Sequence, residues 1–165
     1  MDEEFRIIAE IPKYSVSNLG NIRNNRTGKI MKSRVDKDGY LYLGLFIENK
    51  IQKFRRVHRL VAITFLENID NLQDIDHINQ IKTDNRLENL RWVSASNNNR
   101  NKKKREGLTS NYKGVSWDAN ENKWATSIKI NGISKNLGKF DTEIEAYSIW
   151  CACVYENNLQ DFYGI

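Results

Sequence analysis

Short apolar runs separated by Asn, Gly and Asp turns fill the first 56 residues. Ile7-Ile8-Ala9, Tyr14-Ser15-Val16, Gly20-Asn21-Ile22-Arg23, Gly28-Lys29-Ile30-Met31 and residues 40–47 read as strands, because turn-forming residues bracket β-branched and aromatic segments. They predict one small antiparallel sheet. Tyr40 and Tyr42 share one face of it and Leu41 and Leu43 the other, the period of two expected of a half-buried strand. The period then changes. Across residues 55–66, Val57, Leu60, Val61 and Phe65 recur at helical spacing, which predicts a short amphipathic helix. His58 on this helix reads as a packing or capping residue, with contact to a phosphate as the other reading.

Asp74-Ile75-Asp76-His77-Ile78 alternates again, as a strand does. Asp76 shares a face with Asp74 and Ile78, and the pattern forces neither carboxylate into a core. Polar residues 79–85 turn the chain, and Leu90-Arg91-Trp92-Val93 reads as a second strand. Ser94 stands where it would cap a helix starting near Ala95, with Asn98 close to the helix start.

Lys102-Lys103-Lys104-Arg105 marks a basic linker. Beyond it, runs at 112–117, 123–130 and 133–140 predict three strands, with Asn131-Gly132 as the hairpin signal between the last two. Thr142-Glu143-Ile144-Glu145 has the form of a capping box, and Ala146, Ile149, Trp150, Cys153 and Val154 form the stripe of the helix it starts. Trp124, Thr126, Ile128 and Ile130 should face that helix. Ala125, Ser127 and Lys129, with Lys113, Ser116, Ser134 and Asn136, would form an open polar face. The pattern alone leaves open whether that face meets solvent or a DNA major groove, and the same holds for Arg23, Arg26, Lys29, Lys32 and Arg34 on the first sheet.

Composition narrows the picture. In 165 residues, 39% are hydrophobic and 28% charged, a balance that favours several small modules over one large core. The net charge of +5 favours a polyanionic partner, since neutralising phosphates releases counterions. Cys151 and Cys153, two apart on a helix, point in different directions, so no disulfide is expected. The N-terminal stretch is acidic and lacks a long apolar run, so it reads as neither signal peptide nor membrane span. The expectation is an intracellular, cytoplasmic protein with no membrane partner.

Chemistry concentrates in residues 74–100. Phosphodiester hydrolysis needs a base for the attacking water and positive charge near the phosphate. His77 supplies an imidazole that is largely neutral at physiological pH. Asp76 and the amide oxygen of Asn98 offer hard donors for a divalent cation.

Asp76-His77, Asn89-Leu90 and Asn98 together resemble the HNH nuclease signature, in the variant whose last histidine is replaced by asparagine. Val57-His58-Arg59-Leu60-Val61 and Glu88-Asn89-Leu90-Arg91-Trp92-Val93 resemble phage and intron-encoded HNH homing endonucleases. Residues 14–23 with Gly39-Tyr40 resemble the NUMOD4 module. Tyr112-Lys113-Gly114-Val115, Lys123-Trp124-Ala125 and residues 137–142 resemble the AP2 DNA-binding domain. The resemblance implies an α+β chain: a NUMOD4-like antiparallel sheet (1–54), a ββα-metal HNH core (55–101), a basic linker (102–111) and an AP2-like three-stranded sheet plus helix (112–165). It implies His77 as general base, Asn89 as the residue that holds the loop and orients His77, and Asp76 and Asn98 as ligands of one Mg2+ or Mn2+ ion. Double-stranded DNA is the implied partner, bound by a monomer that nicks one strand to leave a 5′-phosphate and a 3′-hydroxyl. Arg23, Arg26, Lys29, Arg91, Arg100, Lys102, Lys103, Lys104, Lys113, Ser127 and Lys129 form the implied DNA-binding set. The competing reading is a DNA-binding regulator without catalysis, in which the AP2-like module binds and residues 74–100 only scaffold. Site-specific cleavage in a phage-infected or intron-hosting cell is the leading expectation.

Overall fold

A computed structural model describes residues 2–47, 51–102 and 107–165, in two compact units, 1–98 and 99–165. Lys103, Lys104 and Arg105 of the basic linker lie outside the described residues.

The first unit begins with β1 (Phe5–Ile7), β2 (Tyr14–Ser17) and β3 (Ile22–Asn24), an antiparallel sheet in that order. β4 (Arg34–Val35), β5 (Leu41–Phe46) and β6 (Gln52–Arg56) form a second antiparallel sheet with β5 in the middle. Two sheets therefore stand where the pattern predicted one. Gly28–Met31 contributes only an isolated bridge, Arg23 to Ile30. Tight turns account for the split. Asn24 Oδ1 accepts from the Arg26 and Thr27 amides, and Asp36 Oδ1 accepts from the Asp38 and Tyr40 amides, ending each pairing after a few residues. Residues 55 and 56, expected to open the helix, instead finish β6.

Helix α1 (Val57–Phe65) follows directly and buries Val57, His58, Leu60, Val61 and Ala62. Next come β7 (Asp74–His77), a 3-10 turn over Leu87–Asn89, β8 (Leu90–Val93) and α2 (Ala95–Asn101). β7 and β8 pair antiparallel, with Asp76 opposite Arg91 and His77 opposite Leu90. Ser94 accepts from the Asn97 amide at 3.3 Å, the cap that the sequence predicts. One apolar cluster unites these parts: Ile8, Ile11, Tyr14, Val16, Ile22, Leu43 and Leu45 pack with Val57, Leu60, Val61, Ile75 and Leu90.

The second unit holds β9 (Val115–Asp118), β10 (Lys123–Ile130), β11 (Ile133–Phe140), α3 (Glu143–Glu156) and α4 (Gln160–Tyr163), with β10 central in the sheet. Asn131 and Gly132 both take positive φ, 49° and 83°, between Ile130 and Ile133, which pair. That is the hairpin geometry Asn-Gly favours. The Thr142 capping box is formed in both directions. Thr126 and Ile128 are buried while Ser127 and Lys129 are exposed, as the alternation requires. Ile149 departs from its predicted stripe and is 42% exposed, whereas Ala146, Trp150, Cys153 and Val154 are buried. Gly114, at φ 72°, lies against the Trp150 indole where a side chain would collide. Cys151 and Cys153 are free thiols, and no described helix is long and apolar enough to cross a membrane.

Candidate active site

The site is built on β7, β8 and the loop between them. Asp76 and His77 are each 5% exposed, so the neutral expectation for Asp76 is corrected: its strand is covered, and the carboxylate is buried. Burial of a carboxylate demands a partner. Arg91, directly across the ladder, donates to Asp76 Oδ2 from Nε at 3.0 Å and from Nη2 at 2.8 Å. Arg91 belongs to the expected DNA-binding set. In the structure its guanidinium turns to Asp76, because a charge-assisted pair across a register position is the nearest way to satisfy that acid.

His77 Nε2 lies 3.2 Å from Asn85 Oδ1. An amide oxygen only accepts, so the contact assigns the proton to Nε2 and the lone pair to Nδ1. Burial lowers the His77 pKa from its ordinary value, opposed by the Asn85 hydrogen bond and the nearby Asp76 charge. The neutral ring is the form a general base needs. Sequence reasoning gave the orienting hydrogen bond to Asn89, and the structure gives it to Asn85. Asn89 instead bonds within the loop. Its Oδ1 accepts from the Asn79 amide at 2.9 Å, its Nδ2 donates to Asp84 O at 2.7 Å, and its carbonyl accepts from the Ile78 amide at 2.9 Å. Three bonds from one buried residue close the loop that carries Asn85. Asp84, held by Arg86 and Asn79, has its pKa lowered to about 2.

Two aromatic rings complete the surroundings of His77. The His58 ring meets it edge-on at 5.0 Å, and Tyr40 packs against both histidines at 4.9 and 5.8 Å. The packing reading of His58 thus has a specific partner. Burial, with His77 beside it, lowers the His58 pKa to about 3, and its Nδ1 is buried without a hydrogen-bond partner among the described residues. Burial also raises the Tyr40 pKa.

Asn98 on α2 donates from Nδ2 to Asp74 Oδ2 at 3.2 Å. Asp74 is two residues from Asp76 on the same strand face, a step of roughly 7 Å, so the Asn98 amide reaches the edge on which Asp76 lies. Among the described residues no group of three or more His, Cys, Asp or Glu side chains gathers as a metal cluster. The oxygens of Asp76, Asp74 and Asn98 are nonetheless the hard donors that Mg2+ or Mn2+ prefers, and that donor set fits the ion.

The remaining basic residues divide. Arg26 and Lys29 are exposed in the turn after β3, while Arg23 is half-buried with its guanidinium 4.0 Å above the Phe5 ring. In the second unit Ser127 and Lys129 are exposed on the open sheet face, and Lys102 is exposed beside Asn99. Arg100 donates to the Lys129 carbonyl at 2.8 Å. Lys113 is a correction: it points inward and donates to the carbonyls of Arg100 and Tyr163 at 3.0 and 2.8 Å. Burial lowers its pKa. Its ammonium satisfies carbonyls at the ends of α2 and α4, which turns it away from a phosphate-contacting role.

Residues 55–100 match the HNH endonuclease family, and residues 3–46 match the NUMOD4 motif. The chain carries an HNH endonuclease domain behind a NUMOD4 motif. Its HNH domain therefore spans α1, β7, the Asn89-closed loop, β8 and α2. DNA endonuclease I-HmuI of Bacillus phage SP01 is 41% identical over 95 residues, covering 58% of this chain and 54% of that protein. An uncharacterized HNH endonuclease of Acanthamoeba polyphaga mimivirus is 42% identical over 105 residues, 59% of this chain and 26% of its own length. H-N-H endonuclease F-TflII of Escherichia phage T5 is 27% identical over 90 residues, covering 53% of this chain and 46% of that protein. The matches thus span about a quarter to a half of these relatives. The solved structure of the HNH homing endonuclease I-HmuI, described as DNA binding and cleavage by that enzyme, aligns with a TM-score of 0.56. It is 29% identical and covers 93% of this chain and 83% of its own.

Proposed function

We propose that this chain is a site-specific, divalent-metal-dependent DNA endonuclease of the homing type. The observation that carries the reading is His77: buried, neutral, fixed by Asn85 through one ring nitrogen and flanked by the Asp76 carboxylate. In this reading the His77 Nδ1 lone pair takes the proton of the attacking water. Asn89 keeps the loop closed so that Asn85 holds the imidazole in that tautomer. Asp76 and Asn98 would hold one Mg2+ or Mn2+ ion, which supplies positive charge for the phosphate oxygens. The exposed cations Arg26, Lys29, Lys102 and Lys129 serve as phosphate contacts on double-stranded DNA. Residues 112–165 act as an AP2-like module presenting Ser116, Ser127, Lys129, Ser134 and Asn136 to a major groove, and one site per monomer nicks one strand.

Cleavage of supercoiled plasmid carrying a target site, in magnesium or manganese, tests this. Wild type should convert supercoiled to open-circular DNA, and His77→Ala should lower the rate by about 100-fold or more. Equal rates for wild type and His77→Ala would defeat the hydrolase reading. Metal-independent, sequence-selective binding without any cutting would point instead to the non-catalytic regulator.

A further inference from the structure

The NUMOD4 segment approaches the proposed general base from two directions. Tyr40 arrives directly. Its ring stands 5.8 Å from the His77 ring and 4.9 Å from that of His58, so the two residues together form a wall on one side of the imidazole. The Tyr40 ring is in turn fixed from outside by two cations. The Arg56 guanidinium lies 4.4 Å from its centroid and the Lys82 ammonium 4.8 Å from it. Both are tied to the turn that presents Tyr40: Arg56 pairs with Asp36 and Asp38, and Lys82 donates to the Asp38 carbonyl at 2.7 Å.

The second approach runs through Asn85, the hydrogen-bond partner of His77 Nε2. Gly20 holds φ 86°, and a Cβ there would sit 3.0 Å from Asn85 Cβ and 3.2 Å from the Asn85 carbonyl oxygen. One residue pair away, the Asn18 carbonyl accepts from the Leu87 amide at 2.7 Å. The turn at 17–21 is itself tightened by Ser17 Oγ, which accepts from the Asn21 amide at 3.0 Å. A rigid turn therefore presses its least bulky residue onto Asn85, whose side chain is the hydrogen-bond partner of His77 Nε2.

We infer that Gly20 and Tyr40, both in the NUMOD4 segment, are positioning residues for His77: Tyr40 sets the ring plane by packing, and Gly20 sets its tautomer through Asn85. This rests on the proposed role of His77 as base. It gives the N-terminal segment a part in the reacting geometry beyond any contact with DNA. In this reading each acts through another side chain, Tyr40 through the His77 ring it packs on and Gly20 through Asn85. A base displaced by a fraction of an ångström or held in the wrong tautomer loses rate without losing substrate.

The experiment uses the full chain and the variants Tyr40→Leu, Tyr40→Phe and Gly20→Ala. Single-turnover cleavage is measured in magnesium, DNA dissociation constants in chelator, and the His77 imidazole by 15N NMR on the DNA-free protein. Tyr40→Leu and Gly20→Ala should each lower the cleavage rate by about 10- to 100-fold with DNA affinity changed by less than about twofold. In both, the Nε2–H tautomer signal of His77 should give way to an exchange-averaged one. Tyr40→Phe, which keeps the ring, should restore most of the rate and the signal lost in Tyr40→Leu. If the variants weaken DNA binding while leaving the rate and the His77 signal as in wild type, the inference is overturned. Should Gly20→Ala not fold, Tyr40→Leu against Tyr40→Phe decides. If wild type itself does not cut DNA, the nuclease reading fails, and the NMR comparison still decides the positioning.

Discussion

His58 makes the stability of the first unit depend on pH in a way that can be calculated. Its imidazole is buried against His77 and Tyr40, and its pKa falls from the ordinary 6.5 to about 3. The folded state therefore refuses a proton that the unfolded chain accepts. Stability is complete above the unfolded value near 6.5, falls as pH drops, and stops falling below about 3. Each unit in that window costs about 1.4 kcal/mol, so moving from about pH 8 to about pH 5 removes roughly 2 kcal/mol on this account alone. His77, whose pKa is also lowered, adds loss of the same sign. Urea unfolding of wild type and His58→Phe at both pH values separates the two. The variant keeps His77 and loses only the His58 contribution, so its pH-dependent loss should be smaller by roughly 2 kcal/mol. The substitution also removes the unpartnered Nδ1, which should raise stability at about pH 8 by on the order of 1 kcal/mol if phenylalanine packs as well as imidazole. Identical losses in wild type and His58→Phe would refute the claim that His58 is neutral and buried in the folded state.

Two further outcomes test the corrections to the basic residues. Arg91→Leu strands the buried Asp76 carboxylate and should destabilise the metal-free protein by about 3–5 kcal/mol in urea unfolding, with partial recovery in the Arg91→Leu/Asp76→Asn double variant; a loss under about 1 kcal/mol would contradict the pairing. Lys113→Met removes two bonds to the Arg100 and Tyr163 carbonyls and should lower the stability of the 99–165 unit by roughly 2 kcal/mol. The salt dependence of DNA binding should stay as in wild type, and a reduced slope would return Lys113 to the phosphate-contacting set.

Local signals in the sequence identify most of the elements. Asn131-Gly132 demands positive φ and yields the β10–β11 hairpin. Thr142 and Glu145 cap α3, and the alternation at 74–77 gives β7. Pairing across distance is what the pattern does not contain. Whether the early strands form one sheet or two depends on the Asn24 and Asp36 side chains ending each ladder. Asp76 became a buried acid only because β8 set Arg91 opposite it, a matter of register. The tie between Asn85 and His77 depends on how the Asn89-closed loop folds back, and several asparagines of similar spacing compete on paper. Lys113 shows the same limit: a lysine at the edge of a strand looks like a surface charge until the end of α4 places a carbonyl against it.

The apolar cluster that joins Val16, Ile22, Leu43 and Leu45 to Val57, Leu60, Val61 and Leu90 has a practical consequence for protein engineering. β6 runs through residues 52–56 and hands the chain straight to α1, so a cut near 54 would divide a strand and bare half of a core. The boundary between the two compact units, at 98 and 99, falls within α2 (Ala95–Asn101), so chimaeras that exchange recognition parts should be joined after that helix rather than inside it. A graft there carries Gly20, Tyr40 and His77 together as one inherited piece.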